Sequence, residues 1–264
     1  MLFYCHYPDK LLSTNRSSLI KKIYRFFLDN IEEITTGMAR CIVVNSQFTQ
    51  KVFYDNFPLI RRWCRGHKPR VLYPSIDEKS FIKNPSYKET IKELLGRELT
   101  DKTVIMTSLN RYEKKKNIDL ALESFAYYIS KNSKRLTEID PVLVIAGGYD
   151  TRLTENVDVH RGLMNKAKDL GVENRVVFLR SISGDQRVLL LENTKILMYT
   201  PENEHFGIVP VEAMYMGCIV FACNSGGPLE SVDDGKTGYL MSPVVEEWGK
   251  KIEVVLNGSI QTFE

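Results

Sequence analysis

The stretch Ile196-Leu-Met-Tyr-Thr-Pro-Glu-Asn-Glu-His-Phe-Gly-Ile-Val-Pro-Val-Glu-Ala-Met-Tyr-Met-Gly-Cys-Ile-Val-Phe-Ala222 combines a strand, a helix and a second strand. It begins with an apolar run of strand length, and helical periodicity follows a polar loop over residues 208–216. A proline in the first turn of that helix and a glycine just past its end occupy positions that suit them. Another apolar run, residues 219–222, follows at once. The stretch therefore predicts two parallel strands joined by a helix.

The same alternation extends through residues 102–264 and predicts an α/β fold. Strands are predicted at 104–108, 142–146, 176–179, 196–199 and 219–222. Helices are predicted at 118–131, 159–170, 184–192, 208–216, 228–233 and near 244–256. Five strands with intervening helices predict a complete or nearly complete Rossmann-like domain, with a parallel sheet buried on both faces.

The first 76 residues also contain strand and helix patterns. Residues 2–5 and 41–44 have the pattern of strands, and residues 17–38 that of a helix. The broad apolar face of this helix predicts packing against a core; the alternative is membrane contact through Phe26, Phe27 and Leu28. Residues 77–101 are polar and charged. The predicted organisation is a first domain at 1–76, a linker at 77–101 and a second domain at 102–264.

The composition is that of an ordinary folded protein, since 43% of the residues are apolar and 26% are charged. No apolar run approaches the roughly 18 residues of a membrane-spanning helix, and the start lacks the pattern of a secretory signal. We therefore expect a cytosolic chain. The five cysteines have no CxxC spacing, which favours reduced thiols over disulfides or metal ligands.

Positive charge is concentrated at the start of the chain. Residues 1–76 hold twelve Lys and Arg against five Asp and Glu, a balance of +7, so the total of +3 leaves −4 for the remainder. Five of these cations lie at 61–70 beside Trp63, a composition that suits anionic phosphates at a membrane surface; a solvated loop is the alternative. No repeat of basic and aromatic residues accompanies them, so nucleic acid is not an expected partner.

The loop and helix start within the opening stretch carry the candidate chemistry. A helix N-terminus offers unpaired N–H donors and a positive dipole end, and here it follows a loop at the carboxyl end of a strand. This arrangement predicts a phosphate site. Glu204 lies in the loop and Glu212 roughly one turn into the helix, where one carboxylate can reach a sugar hydroxyl and the other a ribose. In a chain with 33 acidic residues, chance would also produce this spacing.

With the segment that follows it, this stretch resembles the E-x7-E motif and the GGxxE turn of retaining GT-B glycosyltransferases of the GT4 family. The resemblance implies that Glu204 contacts the transferred sugar and that Glu212 holds the ribose. The backbone that would contact the donor diphosphate belongs to Phe206, Gly207 and Ile208.

Two further segments resemble the same family. Residues 108–117 are similar to its G-R-x4-K-G segment, which implies that Arg111 and Lys116 neutralise the donor diphosphate. Asn110 and Asn117 stand where the family commonly has glycines. His6 follows a predicted strand at the position of a family histidine close to the transferred sugar, which implies a catalytic role; a structural histidine is the alternative.

Over nearly its whole length the chain is similar to the branch of this family that acts as eukaryotic alpha-1,3/1,6-mannosyltransferases of dolichol-linked oligosaccharide assembly. The segments that carry this resemblance are 4–9, 36–39, 44–49, 72–75, 110–113, 146–150 and 203–210. The resemblance implies GDP-mannose as donor and a dolichyl-diphosphate-linked Man-GlcNAc2 acceptor. It also implies work at the cytosolic face of the endoplasmic reticulum membrane, with other enzymes of the pathway as further candidate partners. Residues 1–76 would form the C-terminal part of a Rossmann-like N-terminal, acceptor-side domain, and residues 102–264 the nucleotide-sugar-binding domain.

The same resemblance raises two further expectations. The family begins with a strand and a glycine-rich loop and ends with a helix that crosses back to the first domain. The first glycine here is Gly37 and that final helix is lacking, so we expect a chain truncated at both ends. No DxD motif occurs, so neither a metal ion nor a cofactor is expected. A non-catalytic remnant that binds a sugar nucleotide or a partner is the alternative function. An epimerase or phosphorylase on the same fold fits these segments less well.

Overall fold

The computed structural model describes residues 1–12, 18–63 and 68–258. Residues 64–67 and the side chain of Trp63, which belong to the predicted basic membrane segment, lie outside the described residues. Contacts divide the chain into two compact units. The first unit comprises Met1–Ser75 and Asn203–Gly207, and the second comprises Ile76–Glu202 and Ile208–Glu264.

The first unit is built on a parallel sheet with the strand order β1-β2-β3. Its strands are β1 (Leu2–Cys5), β2 (Cys41–Val44) and β3 (Arg70–Val71). Its helices are α1 (Asp9–Leu12), α2 (Leu19–Gly37), α3 (Gln47–Asn56) and α4 (Pro58–Trp63). The strands predicted at 2–5 and 41–44 are confirmed. A small core that includes Val44, Phe53 and Phe57 lies between the sheet and α3 and α4.

Helix α2 turns its polar side toward the rest of the first unit. Its buried residues are Glu33 and Thr36, and the Glu33 carboxylate accepts hydrogen bonds from two backbone N–H groups in the first turn of α4. Its large apolar side chains are exposed, among them Ile20 at 79% and Phe27 at 60%. Within the described residues, the expected packing of this face against a core is therefore wrong. No helix in the described ranges is long and apolar enough to cross a membrane.

The second unit contains one parallel sheet of six strands. The strands are β4 (Thr103–Leu109), β5 (Asp140–Gly147), β6 (Val176–Arg180), β7 (Thr194–Tyr199), β8 (Ile219–Cys223) and β9 (Gly238–Met241). Their order is β6-β5-β4-β7-β8-β9, so the first strand of the unit lies inside the sheet beside the fourth. This is the Rossmann order. The prediction of five strands missed β9, a four-residue strand that begins with glycine, a residue depleted in strands.

Helices cover both faces of this sheet. They are α5 (Ile91–Leu95), α6 (Ile118–Lys131), α7 (Thr154–Asp169), α8 (Gly184–Glu192), α9 (Ile208–Tyr215), α10 (Pro228–Ser231) and α11 (Val245–Leu256). Short 3-10 helices occur at Glu78–Phe81, Lys114–Lys116, Arg135–Thr137 and Glu173–Arg175. Alternate residues of β5 enter different cores: Leu143 packs with Trp248, and Val144 packs with Leu190. The predicted burial of both sheet faces is confirmed.

The segment predicted as a linker, residues 77–101, groups with the second unit. Phe81, Leu94 and Leu95 are buried in one of the two cores beside the sheet. The backbone N–H of Asn84 donates to Asp185 of α8 over 2.9 Å. This segment therefore forms part of the surface against which α8 packs.

Candidate functional site

The centre of the site lies where β4 and β7 are neighbours at the carboxyl edge of the six-stranded sheet. The chain leaves these two strands in opposite directions, because the strand order reverses here. In open α/β sheets, ligands bind in the crevice that this reversal creates. The Thr200 hydroxyl, just after β7, donates to the backbone carbonyl of Lys116 over 2.7 Å. This bond ties the loop after β4 to the end of β7.

Two glycines at the end of β5 allow the loop after β4 to pack closely. Gly147 has a φ of +147°, and a Cβ atom there would lie 2.1 Å from the carbonyl oxygen of Asn110. A Cβ atom on Gly148 would lie 3.1 Å from the Cγ of Arg111. The backbone N–H of Tyr112 also donates to the Gly148 carbonyl over 3.1 Å. A side chain at Gly147 would displace the loop that carries Arg111, whereas one at Gly148 would shift only the Arg111 side chain.

A pocket of about 330 Å³ opens at this edge, within the second unit. It is lined by Leu109, Asn110, Arg111, Gly147, Gly148, Ser181, Ile182, Arg187 and Val209. The volume lies at the lower end of the range for small-molecule sites. The Arg111 side chain is 63% exposed and lies 3.1 Å from the Glu113 carboxylate. The pocket thus combines glycine backbone with two guanidinium groups, a composition suited to anionic ligands.

Behind this pocket, Arg187 of α8 forms an ion pair with Glu212 of α9. One guanidinium nitrogen, Nη1, donates to both carboxylate oxygens, at 2.8 and 2.9 Å. Glu212 is buried, with 7% of its surface exposed. Burial raises the pKa of the Glu212 carboxyl, and the charge and hydrogen bonds of Arg187 act in the opposite direction. Arg187 was not among the predicted site residues, because its partner is 25 residues away and no motif marks it.

The loop Asn203–Gly207 groups with the first unit, and His205 makes several of its contacts there. The ring of His205 stacks on Tyr7, with 3.7 Å between ring centroids and an interplanar angle of 12°. Its backbone carbonyl accepts from the hydroxyls of Ser46 and Thr49. Phe206 is buried and its ring centroid lies 5.8 Å from that of Tyr73. These contacts hold the loop that carries Glu204.

The predicted site residues are thus divided between the two units. The first unit contains His6, Glu204, Phe206 and Gly207, and the second contains Arg111, Lys116, Ile208 and Glu212. His6 is exposed just after β1, with its ring 4.8 Å from that of Tyr4. Arg111 lines the pocket. Glu212 accepts hydrogen bonds from Arg187, which also lines it. In the described parts of the chain, no group of three or more His, Cys, Asp or Glu side chains is arranged to hold a metal ion.

Comparison with known proteins gives matches over most of the chain. The family model described as glycosyl transferases group 1 matches residues 88–262. The alpha-1,3/1,6-mannosyltransferase ALG2 of Dictyostelium discoideum is 44% identical over 99% of this chain and 63% of its own length. Its Homo sapiens counterpart is 45% identical over 96% of this chain and 58% of its own length. The chain therefore spans less than two thirds of either relative.

Solved structures resemble the chain at lower sequence identity. HepE of Anabaena, solved in complex with UDP and glucose, has a TM-score of 0.71 and 21% identity, and covers 98% of this chain and 62% of its own. Sucrose-phosphate synthase from Thermosynechococcus elongatus has a TM-score of 0.70 and 19% identity, with coverages of 97% and 58%. At these identities the likeness concerns the fold. The predicted GT-B fold is confirmed.

Proposed function

This chain belongs to the glycosyl transferases group 1 family, and on that basis we propose that it is part of a retaining mannosyltransferase. The proposed donor is GDP-mannose. The proposed acceptor is a dolichyl-diphosphate-linked Man-GlcNAc2, elongated through alpha-1,3 and alpha-1,6 linkages at the cytosolic face of the endoplasmic reticulum membrane. Support for mannose comes from the relatives that are 44% and 45% identical, both named alpha-1,3/1,6-mannosyltransferases.

The observation that carries the proposal is the pocket between the loop after β4 and the start of α9. Gly147 and Gly148 line it without side chains, so a ligand can approach the backbone closely. Its volume of about 330 Å³ suits a small molecule. Arg111 and Arg187 line it; the exposed guanidinium of Arg111 suits phosphate oxygens, whereas that of Arg187 is paired with Glu212. The buried carboxylate of Glu212 lies behind Arg187. A nucleoside diphosphate has the charge and the hydroxyl groups that such a pocket recognises.

In the proposed mechanism the cations stabilise the departing GDP. Arg111 and Lys116 neutralise the diphosphate together with the backbone N–H groups of residues 206–208, where α9 begins. Glu204 orients the mannose, so that the acceptor hydroxyl attacks from the same face as the leaving group. His6 is assigned to the transferred sugar, and Glu212 to the ribose. No metal ion enters this scheme, since the cations supply the charge.

The decisive variant is Glu204→Ala, assayed for mannose transfer from GDP-mannose to a lipid-linked acceptor in the full-length protein. We expect transfer to be lost while GDP binding and thermal unfolding stay close to wild type. Glu202→Ala is the matched control, because Glu202 is an exposed carboxylate in the same loop. Turnover by Glu204→Ala at the wild-type rate would remove Glu204 from the mechanism.

The same assay separates the enzyme from the alternative function. A titration with GDP-mannose measures binding, and the transfer assay measures chemistry on the same preparation. Binding together with mannose transfer supports the transferase. Binding without any transfer by the wild-type protein supports a sugar-nucleotide-binding remnant instead.

We also propose that α2 contacts the membrane surface. Its apolar side chains face outward, including Ile23 at 54% and Phe27 at 60% exposure, while its polar side is held against α1 and α4. The cations Lys21 and Lys22 lie in its first turn and are exposed. An exposed apolar face beside lysines is typical of helices that lie in the headgroup region of anionic membranes. A lipid-linked acceptor would be presented at such a surface.

Vesicle co-sedimentation tests this contact. Ile23→Asp should reduce binding to vesicles that contain phosphatidylserine. Leu153→Asp should not, because Leu153 has a similar exposure of 53% but lies on the other unit. Equal binding by Ile23→Asp and the wild-type protein would contradict the assignment of α2.

A further inference from the structure

Arg187 is held in place from several directions. Its Nη1 donates to both oxygens of Glu212, and its guanidinium carbon lies 5.5 Å from the centroid of the Phe81 ring. Phe81 is buried and packs on Tyr215 of α9, with 5.2 Å between ring centroids. The guanidinium is therefore fixed between an aromatic ring and a carboxylate, and it has little freedom to turn toward other hydrogen-bond partners.

The helix that carries Arg187 is fixed at its start. Ser183 and Gln186 form a capping box at the N-terminus of α8. Gln186 also donates to the Glu89 carboxylate over 3.0 Å, and Asp185 accepts from the backbone of Asn84 over 2.9 Å. These bonds attach the first turn of α8 to residues 84–89. Arg187 is consequently preorganised before any ligand enters the pocket.

The ion pair leaves hydrogen-bonding capacity on both partners. Arg187 lines the pocket, and within the described part of the chain its Nε and Nη2 groups have no hydrogen-bond acceptor. Each oxygen of Glu212 receives one bond from Nη1, so one further lone pair remains on each. A carboxylate accepts from hydroxyls and a guanidinium donates to them. A pair of neighbouring hydroxyls, each both donor and acceptor, matches this combination.

We propose that Arg187 is a positioning residue that keeps Glu212 ionised and aimed at the ribose hydroxyls of the donor nucleotide. This rests on the proposed function, in which Glu212 holds the ribose. A buried carboxylate without a partner takes up a proton or withdraws, and in either case it accepts hydroxyl hydrogen bonds poorly. Arg187 removes both possibilities. The preference of the site for ribonucleotides over deoxyribonucleotides then depends on a residue outside the E-x7-E motif.

Calorimetric titration of the full chain with GDP, 2′-deoxy-GDP and 3′-deoxy-GDP tests this role. For the wild-type protein we expect GDP to bind about tenfold more tightly than the weaker deoxy analogue, the usual effect of one hydrogen bond to a charged group. In Arg187→Met the ratio of the two dissociation constants should fall to about one, because GDP loses affinity and the deoxy analogue does not. A purely structural role would weaken all three nucleotides by the same factor.

Arg175→Met is the matched control. Arg175 pairs with Asp140 over 2.6 Å, and its side chain is 29% exposed, against 30% for Arg187. It lies at the amino edge of the same sheet, away from the pocket, because it precedes β6. We expect this variant to keep the wild-type ratio. If circular dichroism shows that Arg187→Met does not fold, Arg187→Gln takes its place, since it keeps a donor but removes the charge.

The possible failures are distinguishable. If the wild-type protein does not bind GDP, the proposed function is wrong and the role of Arg187 falls with it. If it binds all three nucleotides equally, GDP binding stands and the ribose role of the ion pair is overturned. If it discriminates and the Arg187 variant keeps the same ratio, Glu212 acts without Arg187 and the inference is wrong.

Discussion

Replacing Gly147 by alanine should unfold the second unit at a markedly lower temperature. The new Cβ would lie 2.1 Å from the Asn110 carbonyl oxygen, about 1 Å inside the closest normal approach. Because this oxygen belongs to the backbone, it cannot rotate away as a side chain could. This overpacking costs roughly 1–3 kcal/mol. Holding a non-glycine residue at a φ of +147° adds a strain of roughly 1–3 kcal/mol. The sum, about 2–6 kcal/mol, corresponds to a fall of about 4–24 °C in melting temperature.

Two other glycines separate these contributions. Gly171 has a φ of +67° and open space around its Cβ position, so Gly171→Ala reports the backbone strain alone. At Gly238 the backbone is ordinary but a Cβ would lie 2.5 Å from the Val220 carbonyl oxygen, so Gly238→Ala reports the clash alone. Differential scanning calorimetry of the three variants gives the comparison. If the melting temperature of Gly147→Ala is no lower than that of Gly171→Ala, the close approach of Gly147 to the Asn110 carbonyl is refuted. Because Gly147 lines the pocket, its variant should also bind GDP more weakly.

Two further outcomes are expected from local contacts. His160 is surrounded by the rings of Tyr112, Tyr149 and Phe178, and burial, aided by the charge of Arg180, lowers its pKa below the usual 6.5. As the pH falls, His160 therefore takes up a proton at a higher pH in the unfolded chain than in the folded one. The unfolding free energy should fall as the pH drops from 6.5 to the folded pKa, and urea titrations of His160→Phe should lack this slope. Ser46→Ala should cost about 1 kcal/mol through loss of the α3 cap. It should also slow mannose transfer, because Ser46 holds the His205 carbonyl, whereas Thr90→Ala, which removes the α5 cap, should affect stability alone.

Elements with a clear local pattern were predictable from the sequence. The strands at 2–5 and 41–44 and the helices at 118–131 and 184–192 have the bounds that the structure shows. Four short elements without such a pattern were missed, namely α1, α4, α5 and β9. Strand β9 exists because β8 offers it a free edge, where Gly238 pairs with Val220.

The candidate site was predictable only where a motif marked it. Arg111 was found because it follows a strand in a familiar pattern, and the structure places it in the pocket. Arg187 and Phe81 had no such signal. Phe81 belongs to a polar segment that predicted a linker, yet it supports the guanidinium of Arg187.

The sequence by itself determined the alternation of strands and helices, the loops that carry charge and the glycines at strand ends, since these depend on neighbours within a few residues. Only the tertiary structure decided that Arg187 would meet Glu212 and that the apolar side of α2 would face outward. Those outcomes depend on which strands lie side by side and which helix faces meet. Such contacts join residues far apart in the chain, and no local pattern encodes them.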